Sequence, residues 1–326
     1  MACISADPAA ASDLTWKGRT VTVTIGFSTG GNYDFVGRLV ARHILKHMAG
    51  APTGIAVNMP GAGSIRAANY IFNSAPRDGT ALGILSSSIA IEEALGNPSI
   101  QYKSAEFGWI GRVSMILQVL ATLDPARAKA IEDVRRIETA MGATGAGSPS
   151  EGYPRLMNGL LGTKFKIVSG YSSSADTMLA MERGEIDASL PSWNTIKRTK
   201  AQWLAEKKIH PLVQFVFERS PDLPDTPTSV ELGRTPDERA VLEFYTSGEE
   251  LGRSILAPPG LDPERLAAMR AAFMQMLKDD EFLAEVKKTQ LEFNPLEGMK
   301  LQRIAANTVN ASRETIERTR ALLGAK

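Results

Sequence analysis

Four short segments of small residues carry the chemistry open to this chain: Phe27 to Tyr33 (FSTGGNY), Pro60 to Ser64 (PGAGS), Ser86 to Ser88, and Thr144 to Ser150 (TGAGSPS). Each stands where an apolar run gives way to a helical pattern, so each reads as a strand-to-helix loop. Gly30, Gly31, Gly61, Gly63 and Gly147 let the backbone come close to a ligand, and a helix N-terminus offers unpaired N–H donors and roughly half a positive charge. Ser28, Thr29, Asn32, Ser64, Ser86, Ser87, Thr144 and Ser148 add side-chain donors, with Phe27, Tyr33, Pro60 and Ala62 in the same loops. Such loops suit an anion, carboxylate or phosphate. Hydrogen bonds to a charged group contribute roughly 1.5 to 3 kcal/mol each and a micromolar complex needs about 8 kcal/mol, so roughly four or five suffice without a lysine. Any one of these loops also reads as a plain tight turn; four together favour a site.

Other chemistries fit less well. A phosphate loop needs G-x-x-x-x-G-K-[ST], which is absent, and Gly61-Ala62-Gly63 is followed by Arg66 where a dinucleotide fingerprint needs its third glycine. The histidines are His43, His47 and His210; the first two are four apart on a helix, as zinc ligands are, but Glu is missing at 44 and no third ligand is evident in the sequence. They read as a solvated helix flank, and no metal or cofactor is expected. A serine hydrolase needs a G-x-S-x-G elbow and a histidine base, and Ser148 stands in the wrong place for that elbow. Further along, Tyr171, Ser173 and Ser174 precede a helix, and Asp187 and Trp193 flank a strand end. Asp187 reads as an acceptor for backbone N–H groups or a ligand hydroxyl. Trp193 reads as a ligand-stacking ring or a core residue. Glu249 and Glu250 read as part of a polar stretch, and nothing supports a catalytic carboxylate pair.

The elements that position these loops follow from periodicity. Val21, Val23 and Ile25 alternate as a strand; a helix follows with Asp34 placed to cap it and Phe35, Val36, Leu39, Val40, Ile44 and Met48 at helical spacing. Strands are read at 54–58, 81–85, within 107–123 with a break near Ser114, at 165–169, 186–190, 212–217 and 253–256, with helices at 65–74 and 153–161, and one carrying Met178 and Met181. The charged segment 124–140 reads as helical. Asp262 and Pro263 open another helix, and 296–323 reads as one long amphipathic segment. Strands alternating with helices predict parallel sheets, whose ligands collect at the carboxyl ends of the strands.

At 326 residues the chain suits two α/β lobes. The expected division is 1–120 with 246–326 for the first and 121–245 for the second, the C-terminal helices returning to the first. A formal net charge of +1 without basic runs makes nucleic acid an unlikely partner by charge, and the single cysteine, Cys3, leaves no intramolecular disulfide. Met1 to Asp13 lack the basic region and apolar core of an export signal and read as the frayed end of a mature chain.

Taken in order, FSTGGNYD at 27–34, N-x-PGAGS at 58–64, APRDGTALGILSS at 75–87, Tyr171 to Asp187, RSPDLPDTPTSVEL at 219–232 and APPG at 257–260 resemble the Bug-type receptors of tripartite tricarboxylate transporters. The resemblance implies a class II periplasmic binding protein fold. It also implies a non-enzymatic, periplasmic, monomeric receptor that hands a small carboxylate to membrane transporter subunits. It places one ligand carboxylate on the loops at 28–32 and 61–64, and the rest of the ligand against 144–150, 171–175 and Asp187. The chain departs from the family pattern at Ser28-Thr29, where two prolines are usual, and at Asn32-Tyr33, where small residues are usual. An enzyme using the same loops as an anion site is the alternative, and it lacks a plausible base.

Overall fold

The computed structural model describes residues 14–126, 128–145, 147–289 and 291–324, so the N-terminal segment and Cys3 lie outside the described residues. Among the described residues eleven strands follow in chain order: Thr20–Ile25 (β1), Thr53–Asn58 (β2), Ala81–Ile84 (β3), Gly108–Ser114 (β4), Gln118–Leu123 (β5), Thr139–Ala143 (β6), Phe165–Ser169 (β7), Ala188–Ser189 (β8), Ile209–Phe215 (β9), Arg253–Ala257 (β10) and Leu296–Glu297 (β11). They form two sheets, ordered β11-β4-β10-β3-β1-β2 and β7-β6-β8-β5-β9. In the first, β1 runs parallel to β2 and β3, while β10 is antiparallel to β3 and β4. In the second, β6 runs parallel to β7 and β8, and β5 is antiparallel to β8 and β9.

Both sheets are covered on both faces, as parallel strands require. On the first, Val21, Val23 and Ile25 meet Val36, Leu39 and Val40 of the helix Asn32–His43 and Phe273 of the helix Pro263–Met276. Its other face packs Trp109 and Leu256 against the helices Ile65–Asn73 and Gly298–Val309. On the second, Met141, Val213 and Phe215 pack under Tyr153 of the helix Pro149–Leu161 and Tyr245 of the helix Pro236–Leu251. The opposite face holds Met178, Met181, Trp193 and Trp203. The chain passes between sheets twice, at 114–118 and at 215–253. The helix Arg313–Leu323 rests on the helices Pro149–Leu161 and Pro236–Leu251.

Several elements differ from the sequence reading. The segment 124–140 holds only the short helix Ile131–Val134, and β6 begins at Thr139; its residues TAMGA are small and unpatterned, yet three of the last four are fully covered because the strand lies inside the sheet. The end of the chain is two helices, broken at Asn310–Ser312, where Ser312 caps the second by accepting from Thr315 N–H. Asp34 does not cap the first helix: Gly31 holds the cap position and Asp34 lies in the first turn.

The largest difference is the helix Pro236–Leu251. Thr235 caps it, accepting from Glu238 N–H, and Pro236 opens its first turn. Its buried face carries Val241, Leu242, Tyr245 and Leu251, and Glu249 falls on that same face, only 3% exposed. Desolvation pushes the Glu249 carboxyl up to about 8, against smaller opposing effects of Tyr153, Arg253 and Ser87. From the ordinary carboxylate range near about 4.3 upward, the unfolded chain is ionised while the fold retains the proton, so this group's contribution to stability falls as pH rises through that window. Glu249→Gln removes the penalty. The melting temperature of the variant relative to wild type is predicted to climb between pH 5 and pH 8; a difference that stays constant in scanning calorimetry would show that Glu249 is already ionised in the fold.

Candidate functional site

β1, β2 and β3 end at one level, with Ile25 opposite both Asn58 and Ile84, so the loops that follow them emerge side by side. In the first loop Ser28 to Gly31 are exposed. The first helical hydrogen bond of Asn32–His43 is Phe35 N–H to Gly31 O, 2.9 Å, which leaves the amides ahead of it without a helical acceptor. Gly30 takes φ +87° and donates to Asp34 Oδ2 at 3.0 Å. Burial alone would raise the Asp34 carboxyl, but donors from Arg38, Gly30 and Asn58 hold it below its ordinary value. Asp34 is thus a fastener that shapes the loop.

The second loop is wound left-handed through Gly61, Ala62, Gly63 and Ser64, with φ of +138°, +46°, +60° and +81°. Ala62 and Ser64 hold conformations costing about 1 kcal/mol or more each, and such strain persists only where the surroundings enforce it. Here Ser64 is buried, its Oγ accepting from Ser86 N–H at 3.2 Å, and it presses on Gly26 so closely that a β-carbon there would stand 1.9 Å from Oγ. The first three loops are thereby locked together, leaving Pro60 to Gly63 exposed.

Ser86, Ser87 and Ser88 are buried rather than open. Ser86 and Ser88 share a hydroxyl contact of 2.8 Å, and Ser87 N–H donates to Tyr33 Oη at 3.0 Å. Tyr33 stacks on Phe27 with ring centroids 4.3 Å apart, and the Arg253 guanidinium lies 5.9 Å from the Tyr33 ring centroid. Behind Ser87 sits Glu249, 3.4 Å from Ser87 Oγ and 3.4 Å from Tyr153 Oη. Arg253 is also buried and donates to Ser114 Oγ at 3.1 Å. The sequence reading missed Glu249, Arg253 and Tyr153. The available signal was spacing: Val241, Leu242, Tyr245 and Glu249 share one helical stripe.

Across from these loops stands the second sheet's end. Asn32 Nδ2 donates to Ser192 Oγ at 3.2 Å and also to Thr195 Oγ1, while Arg198 Nη2 donates to Asn32 Oδ1 at 2.5 Å. Gly147 O faces the Gly63 loop, 3.8 Å from where a β-carbon would lie. Thr144 and Ser148 are engaged within their own loop: Thr144 N–H donates to Ser150 Oγ at 3.0 Å, and Ser148 Oγ donates to Gly145 O at 2.6 Å. Ser173 caps the helix Ser174–Glu182 by accepting from Asp176 N–H, Ser174 opens that helix and is exposed, and Tyr171 packs beside the Trp193 core.

Two residues stand apart. Asp187 Oδ2 accepts from Ala140 N–H at 2.8 Å, at the start of β6, whereas the 144–150 loop leaves its far end. Trp193 is buried in the core with Nε1 unpartnered, beside a cavity of about 340 Å³ lined also by Asn194, Lys197 and Glu292. The histidine pair is not a solvated flank: His43 is buried and meets Glu285 at 2.8 Å, and His47 meets Asp279 at 3.0 Å. Asp279 and Glu281 come within 4.8 Å of His43, partners supplied from 240 residues onward that the sequence could not show. Arg42 pairs with Glu285 and Lys46 with Glu281, so the cluster reads as an ion-pair seam between helices. His210 holds Asp124 at 3.0 Å, far along the chain from the cradle loops.

Comparison with known proteins agrees with this fold. The fold superposes on the periplasmic binding protein BugD with TM-score 0.71 at 19% identity, covering 94% of this chain and 98% of that one. It superposes on MatC from Rhodopseudomonas palustris with bound malate at TM-score 0.67 and 22% identity (94% and 99% covered), and on an R. palustris protein with adipate at 0.71 and 20% (95% and 98%). A Cupriavidus necator protein described as the UPF0065 protein in gbd 5'region is 22% identical over 97% of this chain and 92% of its own length. The model of the tripartite tricarboxylate transporter family receptor matches residues 36–321, and with strands, lobes and loops in the arrangement just described the chain belongs to that family.

Proposed function

We propose that this protein is an extracytoplasmic receptor that captures a small organic carboxylate between its lobes and presents it to the membrane subunits of a tripartite tricarboxylate transporter. The observation that carries the reading is the exposed backbone at 28–31 and 60–63, locked beside a helix N-terminus and facing the second lobe. Amides fixed in place, by the Gly30–Asp34 bond in the first loop and by the left-handed turn at 61–64 in the second, need little reorganisation to receive a carboxylate. Two structural relatives, one with malate and one with adipate, support the ligand class.

The same residues argue against turnover. An acyl-transfer or hydrolytic role needs a base within hydrogen-bond reach of a nucleophile, and His43, His47 and His210 are each engaged with carboxylates outside the cradle. The lobes divide near 1–120 with 246–326 against 121–245; the sheet crossings at 114–118 and 215–253 support this order, with β5 (Gln118–Leu123) belonging wholly to the second sheet, the helix Pro236–Leu251 spanning the return boundary and the helix Arg313–Leu323 reaching across to the second lobe. Ser28, Thr29, Gly31, Gly61 and Gly63 supply the anion contacts. Thr144, Gly147 and Ser174 bound the second side. Tyr171, Ser173 and Trp193 lie behind that side, while Asp187 helps hold the sheet through Ala140 N–H at the other end of β6.

In a thermal-shift screen, a small di- or monocarboxylate is expected to raise the melting temperature, and mass spectrometry after prolonged incubation to recover it unchanged. A new product would sink the receptor reading. Gly31→Val is a clean probe, since its φ is −82° and a β-carbon there meets nothing within 4 Å, so the fold has room for it while the ligand does not. Its affinity should drop at least tenfold, about 1.4 kcal/mol, with little change in the apo melting temperature; equal affinity would remove this loop from the site. Asn32→Ala cuts the bonds to Ser192, Thr195 and Arg198. Because these exist only with the lobes together, the variant should release ligand faster and show a larger radius of gyration by solution scattering, whereas unchanged release would assign Asn32 no part in closure.

A further inference from the structure

We propose that Glu249 is a specificity-determining residue that acts through Ser87: its carboxyl must hold a proton for an anion to seat on the cradle, so carboxylate binding is coupled to proton uptake. The inference rests on the reading of the cleft as a carboxylate site.

The connection is short. Glu249 Oε2 lies 3.4 Å from Ser87 Oγ, Ser87 N–H donates to Tyr33 Oη at 3.0 Å, and Tyr33 stacks on Phe27 of the first loop. Tyr153 Oη reaches the other carboxyl oxygen at 3.4 Å. A protonated carboxyl donates to Ser87 Oγ and leaves the serine's own hydrogen for another acceptor. An ionised carboxylate only accepts. It turns the Ser87 and Tyr153 hydroxyls inward and sets a negative charge behind the loops that must receive a second one.

The groups facing Glu249 do not neutralise it. Tyr33 comes from the helix Asn32–His43, Tyr153 from Pro149–Leu161 and Arg253 from β10. Tyr245, on the helix of Glu249 itself, lies near enough to Glu92, Glu249 and Glu151 for their charges to raise its phenol further above burial's effect. Arg253 is committed to Ser114 Oγ at 3.1 Å and Met115 O at 3.4 Å, and among the described residues no ion pair reaches Glu249. Desolvation therefore dominates and lifts the carboxyl to about 8. A group raised in this way is protonated below that point, and a bound anion raises it further, so binding draws in a proton above it.

The test titrates the full chain with succinate, malate and adipate by calorimetry from pH 6 to pH 9.5, in two buffers of different ionisation enthalpy. Affinity for whichever acid binds at pH 6 is expected to hold to about pH 7.5 and then fall toward tenfold per unit, with uptake approaching one proton. Glu249→Gln should bind with neither dependence. Flat wild-type affinity and no proton uptake to pH 9.5 would overturn the role of Glu249 and leave the carboxylate site standing. A pH profile shared by wild type and variant would place the titration elsewhere and overturn it equally. No binding of any of the three acids at pH 6 would overturn the site itself and this inference with it. Wild-type affinity and proton uptake decide the matter even if the variant fails to fold.

Discussion

Unpaired backbone amides at the ends of parallel strands are the constraint around which this molecule is arranged. Because β1, β2 and β3 terminate at one level, their connections gather backbone amides at a shared edge: those after β3 find acceptors at Ser64 Oγ, Tyr33 Oη and Ser86 Oγ, while the amides between Gly30 and Phe35 have no helical acceptor. Water or a ligand must satisfy them. The first lobe fixes those donors: Asp34 gathers Gly30, Arg38 and Asn58, and Ser64 closes on Gly26 and Ser86. The left-handed turn at 61–64 is tolerated because these contacts leave it no alternative.

That economy of charge distinguishes the cradle from what lies beneath it. The exposed rim uses backbone and small side chains, whereas the interior just behind Ser87 buries a carboxyl and a guanidinium that are not in contact with each other. Buried charge is expensive unless paired. A neutral Glu249 set among hydroxyls avoids most of that expense, and Arg253 retains oxygen partners at the point where β4 ends and the chain crosses to β5. The polar interior thus lies where the chain crosses from the first sheet to the second, directly behind the loops at the strand ends.

Asn32 gives the first loop a side chain long enough to reach Ser192, Thr195 and Arg198. Tyr33, its neighbour, stacks on Phe27 and brings its ring within 5.9 Å of the Arg253 guanidinium. Both side chains change what surrounds the loop while leaving its backbone in place.

Local pattern alone determined most of the strands, the strand–helix alternation behind the parallel part of each mixed sheet, and the small-residue strand-to-helix loops at 27–33 and 61–64. These depend on residue periodicity and on where glycine and small polar residues interrupt it, and both are written in the sequence. Tertiary structure decided the rest. TAMGA becomes a strand at 139–143 because neighbours β7 and β8 cover it, not through any propensity of its own. Asp187 went to Ala140, and His43 and His47 found their carboxylates at Glu285 and Asp279, because partners more than 40 residues away are chosen by packing and not by spacing. Glu249 looks like any glutamate at the end of a polar helix until the helix is docked. Which side of that helix meets Ser87 and Tyr153 is a property of three segments folded together, and only burial among them turns an ordinary carboxylate into one that keeps its proton.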